Sequence, residues 1–370
     1  TTGANNVAIG RTAGAANTTG ARNTFLGGSN NVGNGAANTE GVDNTFVGND
    51  TGGANTTGEN NTAVGSDALD ANTTADNNTA VGFSAMTSNT TGTSNTAIGR
   101  SAMSTNTTGD CNVAIGQNAL LQNTTGGLNV AVGRFALDNN TTADNNNAVG
   151  YEALGANTTG TGNVAVGTFS LLTSTTGSYN AALGREALKV NTTGFEQVAL
   201  GNGSLIKNTT GACNIGIGSS AGGDITTGTN NIAIGRDAGT DAVRDLETSC
   251  SHNIVIGNNS HTAAYIKIDW TVTSDLRDKT NFNTVPHGLD FVNKLKPVSF
   301  QFKKSREDDT PTGSVRYGFK AQDVLALEGE NPVIIDNSDP ENLKYKGETL
   351  VPVLVNAIKE LSAEIEELKK

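Results

Sequence analysis

The stretch SDLRDKTNF, residues 274–282, sets Ser274 five positions before Lys279, with Asp275 and Arg277 between them, and raises the question whether a serine and a lysine at that spacing do chemistry. A serine hydroxyl is a weak nucleophile near neutral pH and needs a proton acceptor within hydrogen-bond reach. A lysine can accept only when unprotonated, which requires desolvation or a neighbouring cation. Arg277 either brings such a charge near or simply pairs with Asp275 or Asp278. Taken alone, Ser-x-x-x-x-Lys is most simply a polar turn without chemistry.

Other chemistry is sparse. The three histidines, His252, His261 and His287, are too few for a multi-histidine metal centre, and Cys250 with His252 is too little for zinc, so no metal and no cofactor is expected. There is no phosphate-binding loop, no nucleophile elbow and no dinucleotide fingerprint on a strand-to-helix turn. Asp70, Asp76, Asp138 and Asp144 lie near turns and leave glycan hydrolysis open, although scattered turn acids are usually just solvated. Cys111 and Cys213 each precede an Asn of a repeated phrase and read as small buried thiols. The net charge of -12, with no cluster of Lys and Arg before Ser274, argues against a nucleic-acid partner. No run of 18 apolar residues exists, so membrane insertion is not expected.

The elements that must position the serine fall into two texts. Residues 1–273 carry 10 basic and 19 acidic side chains; residues 274–370 carry 14 and 17, so the charged fraction rises abruptly at the motif. The first text is a repeat. The glycine ending each AVG or AIG phrase recurs at every seventeenth position from Gly48 through Gly65, Gly82, Gly99 and Gly116 to Gly235, with Gly10 and Gly27 before a four-residue slip and Gly257 after a longer insertion. About 15 repeats run from residue 1 to about 260. The chain also opens in mid-phrase, TTGANNVAIG, which suggests that the natural protein is longer.

A period of seventeen fits neither a coiled coil nor an amphipathic helix, and 46 Gly with frequent Asn are costly in helices. It instead predicts a parallel β-solenoid: strands of four or five residues bent at Gly and Asn, the residues that readily accept left-handed corners. Asn61, Asn78 and Asn95, each four before its marker glycine, should form a side-chain amide ladder, with Gln197 the one exception in the regular tract. Ala63 with Val64 and Ala68 with Leu69 should make the thin core of one coil. So little apolar burial per coil predicts an obligate oligomer.

The phrases NNVAIG at 5–10, NTAIG at 95–99, CNVAIG at 111–116 and NNIAIG at 230–235 resemble the heads of trimeric autotransporter adhesins. The resemblance implies a left-handed parallel β-roll, three chains side by side. From residue 274 onward, the blocks SDLRDK, LKPVSF, GFKAQDV and YKGETLVPVLVNAIKEL resemble, in order, the intramolecular chaperone domain of phage tail spikes and endosialidases, a serine autoprotease family also found in myelin regulatory factors. That family cuts its chain just before the serine. Carried over, Ser274 attacks the carbonyl of Thr273, and Lys279 is the general base of a Ser-Lys dyad, with Asp275 and Arg277 as possible auxiliaries. Val351, Leu354, Ile358, Leu361, Ile365 and Leu368 add a heptad seam, so the terminal helix should bundle with its own copies.

The expected organisation is therefore a mainly β, trimeric protein: solenoid at 1–260, connector at 261–273, and a small α+β chaperone at 274–370 ending in a coiled coil over 350–370. The expected function is that of a viral tail fibre or tail spike on the virion that attaches to a host receptor or surface polysaccharide. Host contact is expected at coil edges or in the irregular stretches 28–44 and 236–256. Its C-terminal domain templates the homotrimer and then cleaves itself off. The alternatives are a cell-surface trimeric adhesin, against which the ending EIEELKK counts because it lacks the strands of an outer-membrane anchor, and a fibre that hydrolyses glycans.

Overall fold

The structure, a computed structural model, describes residues 2–28, 33–240, 246, 249–258, 260–261, 274–303, 306, 308–338, 340–341 and 343–370. The chain divides into two compact units, Thr1–Asn258 and Asn259–Lys370.

The first unit is a parallel β-solenoid. Among the described residues its sheet has fifteen three-residue strands: Val7–Ile9 (β1), Thr24–Leu26 (β2), Thr45–Val47 (β3), then one per repeat from Thr62–Val64 (β4) to Ile232–Ile234 (β14), and Ile254–Ile256 (β15). Each pairs only with its sequence neighbours, equivalent residue against equivalent residue, as in Ala97↔Ala114 and Ile98↔Ile115. The strands are shorter than the four or five residues expected, because the marker glycine turns the chain at once. Gly116 has φ 135°, and a Cβ there would lie 2.6 Å from the Gly133 carbonyl oxygen in the next coil. Only glycine fits that corner.

Each regular coil has three further left-handed positions, and they are not reserved for Gly and Asn as expected. Leu69, Met86, Met103 and Leu120 all have φ between 51° and 54°, and all are fully buried. A left-handed residue with a Cβ costs about 1–2 kcal/mol. Here rungs to the adjacent coil hold the peptide, as in Leu120 N donating to Ala136 O at 2.9 Å, and the core contact of the side chain offsets the strain.

The core is also thinner than the sequence suggests. Ala63, Ala68 and Leu69 are buried, but Val64 faces out, 37% exposed. Neighbours in a strand point to opposite faces, so the Ala of each strand turns inward and the following Val or Ile turns outward, as at Val64, Ile98, Ile115, Val149 and Val166. The Cys reading fails for the same kind of reason. Cys111 is exposed and Cys213 half-buried, since the Asn that follows each, Asn112 or Asn214, takes the inward position.

Volume is conserved where the pattern breaks. Phe46 replaces the inward Ala of its strand, and Gly52 stands where other coils bury Leu or Met; a Cβ on Gly52 would sit 2.5 Å from the Phe46 ring. Gly35 stands against Phe25 in the same way, with the two rings 5.7 Å apart.

Buried asparagines tie the coils together along two lines. At the predicted line the bond is different from the one expected: Asn78 N donates to Asn61 Oδ1 at 3.0 Å, and Asn78 Nδ2 donates to Gly92 O of the next coil at 2.9 Å. In a few coils the amide also reaches the preceding Oδ1, as in Asn112 to Asn95 at 3.2 Å. The longer amide ladder lies instead on the Asn of the NTT phrase, from Asn17 to Asn157, where Ser174 interrupts it in the next coil: Asn72 Nδ2 donates to Asn55 Oδ1 at 2.7 Å, and Asn106 repeats this to Asn89 at 2.9 Å.

Gln197 disturbs both lines. Its longer side chain carries Nε2 to Asn191 Oδ1 at 3.0 Å, taking the acceptor that the ladder geometry assigns to Asn208. Gln197 Oε1 and both amide atoms of Asn208 are left buried without partners among the described residues. Gln197→Asn should relieve these orphans and raise unfolding stability by about 1–3 kcal/mol, measured as the shift of the denaturant midpoint at unchanged slope. A lower midpoint would contradict the assignment.

The second unit contains helix Leu289–Lys294 (α1), the antiparallel pair Val298–Lys303 (β16) and Pro311–Gly318 (β17), helix Ala321–Glu328 (α2), the short pair Ile335–Asp336 (β18) and Lys344–Tyr345 (β19), and helix Leu350–Leu368 (α3). Its core is small: Phe291, Val324, Ile334, Ile335, Leu350 and Val353. Glu328, at the end of α2, secures the turn into β18 by accepting from Val333 N, Ile334 N and Ile335 N at 2.7–2.9 Å. Glu328→Ala leaves three backbone donors without their acceptor and should destabilise this unit by about 2–4 kcal/mol, read by hydrogen exchange of those three amides. Unchanged protection would refute the role.

Candidate active site

A single 3-10 turn, Leu276–Asp278, builds the local geometry. Asp275 caps it, accepting from Arg277 N at 2.8 Å. The Arg277 guanidinium then closes on the same carboxylate, Nε to Oδ1 at 3.0 Å and Nη2 to Oδ2 at 2.7 Å. This fork matches the planar geometry of a carboxylate. It holds Asp275 below the usual carboxylate range and pushes Arg277 upward. Of the roles open to Arg277, the structure shows this pairing with Asp275.

Past the turn the chain becomes extended, with Lys279 N donating to Leu276 O at 3.2 Å. The five-residue spacing brings Lys279 Nζ to 2.6 Å from Ser274 Oγ. Ser274, Asp275, Arg277 and Lys279 are all exposed in the single chain. An exposed ammonium donates to the hydroxyl and orients it, but takes no proton from it. Base catalysis needs the same contact with the amine neutral, hence removed from water. Thr273, and residues 262–272 of the expected connector, lie outside the described residues.

The segment after the turn is fastened to the terminal helix. Asn356 on α3 donates Nδ2 to Val285 O at 3.2 Å and to His287 O at 3.3 Å. Glu360, one turn on, accepts from Leu289 N at 2.6 Å and so caps α1. These partners are far apart in sequence, and no local pattern signals them. The heptad letters place Glu360 simply on the outer face.

Residues 274–331 match the family model described as Chaperone of endosialidase. The match opens on Ser274 and takes in the turn, α1, the β16–β17 pair and α2. The C-terminal unit thus carries a chaperone domain of the self-cleaving endosialidase type. No match was found among curated proteins or among solved structures.

Helix α3 follows the matched stretch and divides its faces. Leu350, Val353 and Ala357 are buried in the chaperone domain's own core, whereas Val351, Leu354, Ile358, Leu361, Ile365 and Leu368 are exposed. A soluble helix rarely leaves six large apolar side chains in one seam uncovered.

Proposed function

We propose that the protein is a self-maturing homotrimeric fibre of the tail-fibre or tail-spike type, carried on a virion and used for attachment to a host surface. The chaperone match beginning at Ser274 carries this reading. In it, the exposed seams of three α3 helices come together first and set three solenoids in register, which stacked identical coils do poorly by themselves. The outward Val and Ile column of the solenoid supplies apolar surface for the same association.

Assembly and cutting are linked by solvent. Packing three chaperone domains removes water from the Ser274 turn and favours neutral Lys279. The amine then accepts the Ser274 proton as Oγ attacks the Thr273 carbonyl carbon. The acyl bond moves from nitrogen to oxygen, freeing the Ser274 amine, and water completes the cut. Loss of the template leaves the assembled fibre without an easy reverse path.

Light scattering on the purified protein tests the assembly. Trimers are expected for both the native chain and Ser274→Ala, and monomers from Leu354→Lys with Ile358→Lys, which charge the α3 seam. A monomeric native protein would end the reading. A Ser274→Ala chain that forms no trimer would mean that templating and cutting are not separate steps.

A further inference from the structure

At the fifth residue after the marker glycine the coils vary freely, and Gly155, like Gly53 and Gly223, is a glycine there. The fifth residue after the marker glycine is Asp138 in one coil and Leu172 two coils on, but Gly155 between them. Gly155 has no left-handed φ, and a Cβ there would meet Glu152 O at 3.4 Å and Leu172 Cδ1 at 3.6 Å, ordinary contacts. A larger side chain is therefore permitted, and its absence leaves a hollow of about 370 Å³ lined by Phe135, Asp138, Glu152 and Leu172 among others.

The walls are fixed in place. Asn139 Nδ2 and its own N–H both donate to Gly155 O, at 2.7 and 3.2 Å, and Ala156 N donates to Leu172 O at 3.0 Å. Beside the hollow runs a strip of three rings, Phe135, Tyr151 and Phe169, with centroids 6.3 and 5.4 Å apart and edge-to-face contacts. Rings in three successive coils are confined to this stretch of the regular repeat.

Charge narrows the occupant. Burial, with the nearby Glu152 second, pushes the Asp138 carboxyl upward, and the Tyr151 phenol is raised by its hydrogen bond to Glu152. Two acids in the lining disfavour an anion. The flanking cations, Arg134 over the Phe135 ring at 4.5 Å and Lys189 over Phe169 at 5.5 Å, disfavour a polycation. A neutral polyhydroxyl ligand remains: its C–H faces pack on aromatic rings, while its hydroxyls meet carboxyl and carbonyl oxygens.

From this geometry we infer that the hollow around Gly155 is a binding site for a neutral saccharide chain. It rests on and deepens the attachment reading above, and of the two kinds of contact point expected it falls on the turns of regular coils and not in the irregular stretches. The test is calorimetric titration of the full-length trimer with neutral gluco-, galacto- and N-acetylglucosamine tetramers, and with a sialic acid tetramer. At least one neutral tetramer should bind, the sialic acid tetramer should not, and Gly155→Leu should weaken binding at least tenfold with the circular dichroism spectrum unchanged. Phe169→Ala, which removes a ring without filling the hollow, should weaken it as well. No binding of any neutral tetramer, or binding indifferent to both substitutions, overturns the site. Adsorption of the trimer to bacterial envelopes, scored separately, distinguishes the two ideas: adsorption that survives Gly155→Leu leaves attachment standing and this site refuted. Sugar shortened during titration would overturn simple binding in favour of hydrolysis.

Discussion

Ser274→Ala should leave the chain in one piece. Freshly expressed protein is expected to show a fragment beginning at Ser274 on denaturing electrophoresis, and the variant only the full-length band. Removing the attacking oxygen from a serine hydrolytic centre typically costs at least ~1,000-fold in rate. Lys279→Arg is the sharper companion. Arginine can still donate to Oγ and retain the 2.6 Å contact seen for Lys279, but it does not lose its proton in proteins. If Lys279 acts as the base, Lys279→Arg should be as inert as Ser274→Ala. A Lys279→Arg chain that cuts at the native rate would reduce the lysine to a positioning group.

The second large effect concerns stability. Asn112 is fully buried; its Nδ2 donates to Gly126 O at 2.9 Å, and its Oδ1 accepts from Asn129 N at 2.9 Å. Asn112→Ala leaves the Asn129 N–H in the next coil without its acceptor, while Gly126 O keeps its bond from Asn123 Nδ2 at 2.9 Å. That orphan costs about 1–3 kcal/mol, and the vacated space adds to that, so a loss of about 2–4 kcal/mol is expected. In a repeat whose coils contact only their neighbours, the damage should be local first. Hydrogen exchange should therefore quicken at Asn129 and the adjacent coils well before it changes near β2 or β14. Uniform change along the solenoid, or a loss below about 1 kcal/mol, would show that the side-chain bonds are not what holds the coils.

Periodicity made the solenoid legible. A glycine at every seventeenth position admits few folds, and strand pairing follows from equivalence alone. What it hides is direction. Val64 and Ala63 are both apolar letters, and only the strand's two-fold alternation decides which of them enters the core. Leu69 in a left-handed corner runs against local preference, and only rungs to the adjacent coil make it tolerable. The Phe46 and Gly52 exchange is present in the letters, but its meaning depends on two residues meeting across the coil. The two Asn lines differ only in which atom of the neighbouring coil each amide can reach.

The candidate site divides in the same manner. Ser274 and Lys279 are five positions apart on one turn, so their proximity is local and follows from the motif. The letters leave the pairing of Arg277 open because Asp275 and Asp278 are both within reach; the cap at Asp275 resolves it by presenting its carboxylate to both the Arg277 N–H and the guanidinium. The support from Asn356 and Glu360 is tertiary, and heptad letters cannot report it. Gly155 is lost among glycines of the repeat, although its offset of five from Gly150 sets it apart from the corner-forming ones.

The coil-by-coil register also makes length a matter of counting. From β3 to β14 the strand starts are evenly spaced in sequence, so deleting or duplicating any whole coil there joins ends that already match in position and direction. Each such event changes the solenoid by one step of ~4.8 Å and introduces no new kind of contact. The Phe25 and Phe46 coils are exempt, because each ring needs its own glycine opposite. The protein thus has a fixed end and an adjustable middle, and unequal exchange between repeats can set its reach without designing a new interface.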